Sequence, residues 1–246
     1  MAQPTEEQAA QLEQCLGCPC IYLPPQENTS SVMSAYLEAA ARGRRESFTP
    51  ILLVLNEQGN LVFEDLKAFQ QEMAATPVGD GKALLRRFVE EDQKEMGEYF
   101  TPEQIMEKTA ALLGDDTSGG KEITEFLSLT DYRGQVQPVV LAEIPVKEPW
   151  EVFSYLPFGG WNECPSPKEQ RAAAKYWFEQ YGAVPAVMTR STLEYRLPAP
   201  VPWEQAMETA LEQYFFCSDI VDQSFGMAGT LAGCLSRSTV WYFWWD

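Results

Sequence analysis

The chain has 246 residues, 45% of them hydrophobic, and a net charge of −18. That length makes one large domain or two small ones, and the apolar content fits a folded globule rather than a disordered chain. No histidine occurs anywhere, which excludes Ser-His-Asp and Cys-His catalysis and every histidine-containing metal site. The acidic field repels phosphate backbones, so no nucleic-acid partner is expected.

The first ten residues, MAQPTEEQAA, are acidic and lack an apolar core, so they do not read as a signal peptide. No run approaches ~18 apolar residues, so no membrane span is expected. A cytoplasmic setting with the six cysteines reduced follows as the expectation.

Residues 5–16 predict a short helix, ended by Gly17 and Pro19 within Cys15-Leu-Gly-Cys18-Pro-Cys20. A helix fits Ser31–Gly43, and Arg42, Arg44 and Arg45 at its end suit the helix dipole. Residues 51–55 (ILLVL) read as a strand, 56–60 as a turn and Leu61-Val-Phe63 as a returning strand. Helices fit 64–75 and 81–96. A third starts at Thr101, with Pro102 in its first turn and Gln104 completing a capping box, and runs to Leu113. Residues 115–120 read as a loop and 136–146 as a strand.

The composition changes at Pro149, because all seven tryptophans lie from Trp150 onward. Each buries a large area, so the densest core is expected there. Residues 149–155 read as a short helix or turn, and 156–165 as a loop containing Gly159-Gly160. A helix from Ser166-Pro167 to Tyr181 follows, then strands at 184–189 and 192–197. A helix fits 203–216, Cys217–Gln223 reads as a loop or helix start, and 226–236 as a helix rich in small residues. The run Val240-Trp-Tyr-Phe-Trp-Trp245 is apolar on both faces and predicts an interior strand. A faint internal echo links Tyr36, Pro50 and strand 51–55 to Tyr176, Pro185 and strand 186–189. The fold class expected is α/β or α+β: a mixed sheet covered by helices. An acidic, helix-rich lobe (1–145) carries 24 acids against 11 bases and precedes an aromatic-rich lobe (146–246).

Several stretches of the second lobe are distinctive: Glu148-Pro-Trp-Glu-Val-Phe-Ser-Tyr-Leu-Pro-Phe-Gly-Gly-Trp-Asn-Glu-Cys-Pro165, Lys175-Tyr-Trp-Phe-Glu-Gln-Tyr-Gly-Ala-Val-Pro185, Thr192-Leu-Glu-Tyr195, and Glu212-Gln-Tyr-Phe-Phe-Cys-Ser-Asp219 with Asp222-Gln223. Over roughly 146–246 these resemble a bacterial domain-of-unknown-function family, family 4253. The leading helical part is similar to that of longer members, more weakly. Ser218 departs from the pattern, which has proline before the aspartate. The resemblance implies no activity, cofactor or catalytic residue.

Three constellations can be weighed on chemistry. Cys15, Cys18 and Cys20 offer three thiolates where zinc wants four ligands, so no metal or other cofactor is expected. Ser118-Gly-Gly-Lys121 lacks the glycine spacing of a phosphate loop, has Glu122 in place of its hydroxyl residue, and has Asp115 and Asp116 beside it. The candidate site joins Trp161, Asn162, Glu163 and Cys164 to Cys217, Asp219, Asp222 and Gln223, two polar segments that each lead toward a helix and are expected to adjoin. The plainer reading puts Trp161 and Cys164 in the core, Asn162 on backbone and Asp219 as a helix cap. The function that best fits the charge is binding of a basic protein, in the manner of an immunity protein or antitoxin. The alternatives are an enzyme using Glu163 as acid or base beside Cys164 or Asp219, and a small-molecule sensor with a tryptophan-lined pocket.

Overall fold

A computed structural model describes residues 6–54, 65–114 and 119–246. The turn expected at 56–60 and the strand expected at 61–63 lie outside these residues, as does most of the 115–120 loop. The chain runs α1 (Glu6–Leu16), β1 (Cys20–Leu23), α2 (Ser30–Glu46), β2 (Thr49–Val54), α3 (Leu66–Ala75), α4 (Gly81–Tyr99), α5 (Pro102–Leu113) and β3 (Val139–Ile144). It continues through α6 (Val152–Tyr155), α7 (Pro167–Tyr181), β4 (Val184–Met188), β5 (Thr192–Arg196), α8 (Trp203–Phe216), α9 (Ala228–Leu235) and β6 (Val240–Trp244). Short 3-10 turns sit at Leu127–Leu129 and Pro149–Glu151, and a single π-helical turn at Val221–Phe225.

Local chemistry sets many of these limits. Thr101 and Gln104 close a capping box at the start of α5, and Ser166 and Glu169 do the same for α7, each with proline in the first turn. Gly182 ends α7 in the left-handed conformation that an L side chain adopts only under strain.

The six strands among the described residues form one mixed sheet in the order β1-β3-β2-β4-β5-β6. Among the described residues only β2 and β4 pair in parallel, Leu52 opposite Val187; the other pairs are antiparallel. Strand direction is therefore symmetric about the β2–β4 seam, although the outermost strand precedes its unit on one side (β1) and follows it on the other (β6). The helix entering β2 and the helix entering β4 lie on opposite faces: Val32, Tyr36 and Ala39 of α2 pack with Leu52 and Leu141, whereas Ala173, Ala174 and Trp177 of α7 pack with Leu53 and Tyr195. The sequence echo between the two helix–strand units falls on this seam. The sheet runs across the 145/146 boundary.

Alternation along β5 divides the two layers. Leu193 and Tyr195 face α7, and Glu194 faces the opposite side. Trp177 is fully buried among Tyr195, Phe216, Trp241 and Phe243, with ring centroids 4.9–5.8 Å apart. Such pairs stabilise beyond their area by ~0.5–1.5 kcal/mol each. The indole nitrogens of Trp241 and Trp245 and the Tyr195 hydroxyl find no partner among the described residues, and each such loss costs about 1–3 kcal/mol.

Arg171 of α7 is 2% exposed and ties α3 to this core. Its guanidinium donates to the carbonyls of Met73 (3.0 Å), Thr76 (2.6 Å) and Pro77 (3.1 Å) and to Ser154 Oγ (2.9 Å), with Glu151 at 3.5 Å. A buried charge is tolerated because these acceptors replace water.

Two strand readings need correction. Residues 20–23 form β1, at an edge of the sheet, where no strand is expected from the sequence. The 240–246 run is not interior either: among the described residues β6 is the other edge and pairs with β5 alone. Its apolar character on both faces has a different origin. Trp241, Phe243 and Trp245 are buried on the α7–α8 side, and Tyr242 and Trp244 are half-covered on the other. The carbonyl of Ile123 accepts from the N–H groups of Thr239 and Val240 and so covers the start of the edge.

Candidate functional site

The loop between α6 and α7 turns on Gly159 and Gly160, both at positive φ. A Cβ at Gly159 would lie 1.9 Å from the carbonyl oxygen of Pro165, so the loop closes only around glycine. The Gly160 N–H bonds the carbonyls of Cys164 (3.1 Å) and Pro165 (3.2 Å), and Cys164 N bonds Trp161 O (2.9 Å). Asn162 sits at φ 45°, a left-handed position that asparagine accepts more readily than most residues.

The two predicted segments adjoin. They line one cleft of about 550 Å³ together with α4 and the end of α8; its lining includes Glu163, Cys164, Cys217 and Asp222. It lies at the end of the sheet where β6 finishes, since Cys217 Sγ donates to Trp244 O at 3.0 Å.

The eight residues separate by role. Asn162 donates to the carbonyl of Asp246, and Asp219 accepts from the backbone N–H of Asp246 (3.1 Å) and from Gln223 Nε2 (2.6 Å). These three fasten the segment after β6; Asp219 makes no such bond to a helix N–H and is not the cap expected of it. Trp161 is half-buried edge-on against Phe158, with centroids 5.0 Å apart, and is not among the cleft-lining residues. Cys164 and Cys217 are buried, and burial pushes each thiol up to about 12. Neither is a thiolate at neutral pH, which deprives the enzyme reading of an activated sulfur. Glu163 and Asp222 remain, both exposed at the cleft.

Sequence reasoning missed the opposite wall. Glu91, Asp92 and Glu95 of α4 face Glu163 and Asp222 across the cleft. Burial and then Glu95 raise the Asp92 carboxyl; burial and then Asp219 raise that of Asp222. Burial, followed by the charges of Asp222, Asp92 and Glu163, pushes the Tyr214 phenol up to about 12, so carboxylates from three elements converge on that hydroxyl. Arg87 neutralises part of the rim, at 2.6 Å from Glu169 and 3.7 Å from Glu91. Among the described residues Asp92, Glu95, Glu163 and Asp222 have no ion-pair partner. The signal was present in Glu90-Glu91-Asp92, but only the packing of α4 shows which acids turn inward.

The cleft opens into a second, apolar groove of about 810 Å³ between α4, α5 and α8. Asp92, Tyr214, Phe215 and Asp222 line both, and Met96, Phe100, Ile105 and Leu112 continue the groove. None of the α5 residues is fully buried, so that helix covers the groove lightly.

Cys15 is exposed, Cys18 buried and Cys20 half-buried, all three as free thiols. Among the described residues no three acidic or sulfur ligands converge on a metal position, and no helix is long and apolar enough to cross a membrane. No curated protein and no solved structure matches the chain. Over residues 140–246, from β3 to the last residue of the segment after β6, the chain matches the family described as a domain of unknown function (DUF4253), the family whose motifs are legible in its sequence.

Proposed function

We propose that this is a binding protein whose acidic cleft and adjoining groove hold a basic, amphipathic segment of another protein, as an immunity protein or antitoxin masks a basic partner. One observation carries the reading. A cleft with four carboxylates free of ion pairs runs continuously into an apolar groove, the complement of a helix with lysines or arginines on one side and leucines on the other. The charge of −18 adds long-range attraction and a faster encounter. Thiol catalysis gains no support from two buried, protonated cysteines.

The test is titration of a 14-residue Leu-Lys amphipathic peptide, followed by calorimetry. Saturable 1:1 binding should weaken about tenfold or more in Glu95→Lys/Asp222→Lys protein, and should weaken with salt as the Debye length shrinks from ~10 Å at 0.1 M. Glu7→Lys/Glu122→Lys, with the same change in net charge away from the cleft, should bind nearly as the parent does. Equal losses in the two double variants would reduce the effect to net charge and overturn the reading.

A further inference from the structure

A separate cavity, of about 550 Å³, lies at the opposite end of the sheet. It opens where the amino ends of β2 and β4 meet, at Pro50 and Val184. The helices entering these parallel neighbours arrive from opposite faces, so nothing fills the space between their ends. In doubly wound sheets such crevices open outside the carboxyl ends of the strands; here the divergence of the helices opens one at the amino ends. The volume is within the range of ligand pockets, ~300–1,000 Å³.

The walls are apolar: Leu37, Phe48, Pro149, Phe178 and Pro198. The charges around them run against the rest of the molecule. Arg44, Lys147 and Arg196 line the cavity with Glu148 as the one acid, in a chain carrying 36 acids and 18 bases. Helix-end electrostatics accounts for Arg44 alone. Lys147 precedes the 3-10 turn at 149–151, and Arg196 ends a strand, its Nη1 donating to the carbonyls of Leu197 and Thr239 (the latter at 3.2 Å). Tyr36 lines the same cavity and is 2% exposed, yet none of the described hydrogen bonds includes its hydroxyl. The charges of Arg196 and Arg44 both act on that hydroxyl, which places the cations around it. The buried Nε of Arg196, which lines the cavity, has no partner among the described residues; such an orphan costs about 1–3 kcal/mol, and a ligand oxygen would remove that cost.

We infer that this cavity binds a small amphipathic anion, with an apolar body against Phe48 and Phe178 and a single carboxylate or sulfonate taken by the Tyr36 hydroxyl and the arginines. The lining contains no tryptophan, so this is not the tryptophan-lined pocket considered from the sequence. The site is independent of the acidic cleft, whose carboxylates repel the same ligand.

The experiment uses the whole chain and 1-anilinonaphthalene-8-sulfonate as the probe, with thermal melts to show that each variant stays folded. One probe should bind per chain, with fluorescence enhancement. Decanoate should displace it, and decylammonium, with the same apolar body and opposite charge, should not. Arg44→Glu/Lys147→Glu alters only exposed rim residues and should weaken binding about tenfold or more, since each charge reversal exchanges attraction for repulsion of similar size. Ala40→Trp, which fills the cavity from α2, should abolish binding while the melt stays cooperative. Tyr36→Phe should weaken decanoate more than decanol. Equal displacement by decanoate and decylammonium, or unchanged probe affinity in folded Ala40→Trp protein, would overturn the inference. If Ala40→Trp fails to fold, the rim variant decides: unchanged affinity there overturns it equally. Glu95→Lys/Asp222→Lys should leave probe binding intact, so failure at one end of the sheet is distinguishable from failure at the other.

Discussion

Glu194→Gln removes a titrating group from the middle of β5. The Glu194 side chain is fully buried and accepts from the backbone N–H groups of Leu127 and Ser128, both at 2.8 Å. Those bonds favour the carboxylate, but burial outweighs them and pushes the carboxyl up to about 7 from a starting value of 4.5. The folded state thus holds the proton more tightly than the unfolded chain. Glu194 contributes its full stability below pH 4.5 and loses it as pH rises through 7. Integrating over the window from pH 5 to pH 8 gives a loss of about 2–3 kcal/mol from this one group. Glutamine offers one acceptor oxygen where two N–H groups point, so the variant is less stable at pH 5 by roughly 1–2 kcal/mol. Its remaining stability should vary less with pH. Urea unfolding of both proteins at half-unit steps from pH 5 to 8 measures the difference, which should move by about 2–3 kcal/mol in favour of the variant toward alkaline pH, so that the order of stability reverses. Parallel curves for the two proteins would refute the argument, because every other carboxylate is common to both.

Two further outcomes concern the loop and the thiols. Gly159→Ala should cost about 2 kcal/mol or more in urea unfolding, because its Cβ would meet a backbone oxygen at 1.9 Å and φ is 98°; Gly160→Ala, with nothing nearer than 3.9 Å, should cost only the ~1 kcal/mol of left-handed strain. Iodoacetamide at pH 8 should label exposed Cys15 in the native protein, and mass spectrometry should find Cys164 and Cys217 unmodified until urea is added, since both are buried with thiols pushed up to about 12.

The elements legible in the sequence are those with local causes. The capping residues Thr101 and Ser166 mark helix starts without reference to the rest of the chain, and the sheet covered by helices follows from apolar runs between such helices. What was hidden depends on contacts far along the chain. β1 has the burial of a half-covered edge strand, with Ile21 46% exposed, and four residues carry too little pattern to announce it. β6 looks interior because one face packs under α7 and α8 while the other is partly covered; periodicity cannot distinguish that from an interior strand. The site divides in the same way. Glu163 and Asp222 face the cleft, but Asn162 and Asp219 are occupied by Asp246, a bond that no local pattern encodes.

The two candidate sites lie at opposite ends of the strands and have opposite character. Along β4, β5 and β6 the cavity touches Val184 and Arg196, whereas the cleft adjoins the end at which Thr192 pairs with Trp244. Five residues of strand separate the two, about 16 Å. At the cavity end the helices diverge to opposite faces and leave a gap, which the chain lines with three of its 18 bases. At the cleft end the antiparallel turns and the π-helical turn at 221–225 bring acids from α4, the glycine loop and Asp222 together. Over that separation, charges in water at physiological salt are screened across about two Debye lengths. The −18 total therefore does not set the potential inside the cavity. The proposed anion would therefore meet a locally cationic pocket, and the proposed cationic segment would be drawn to the other end.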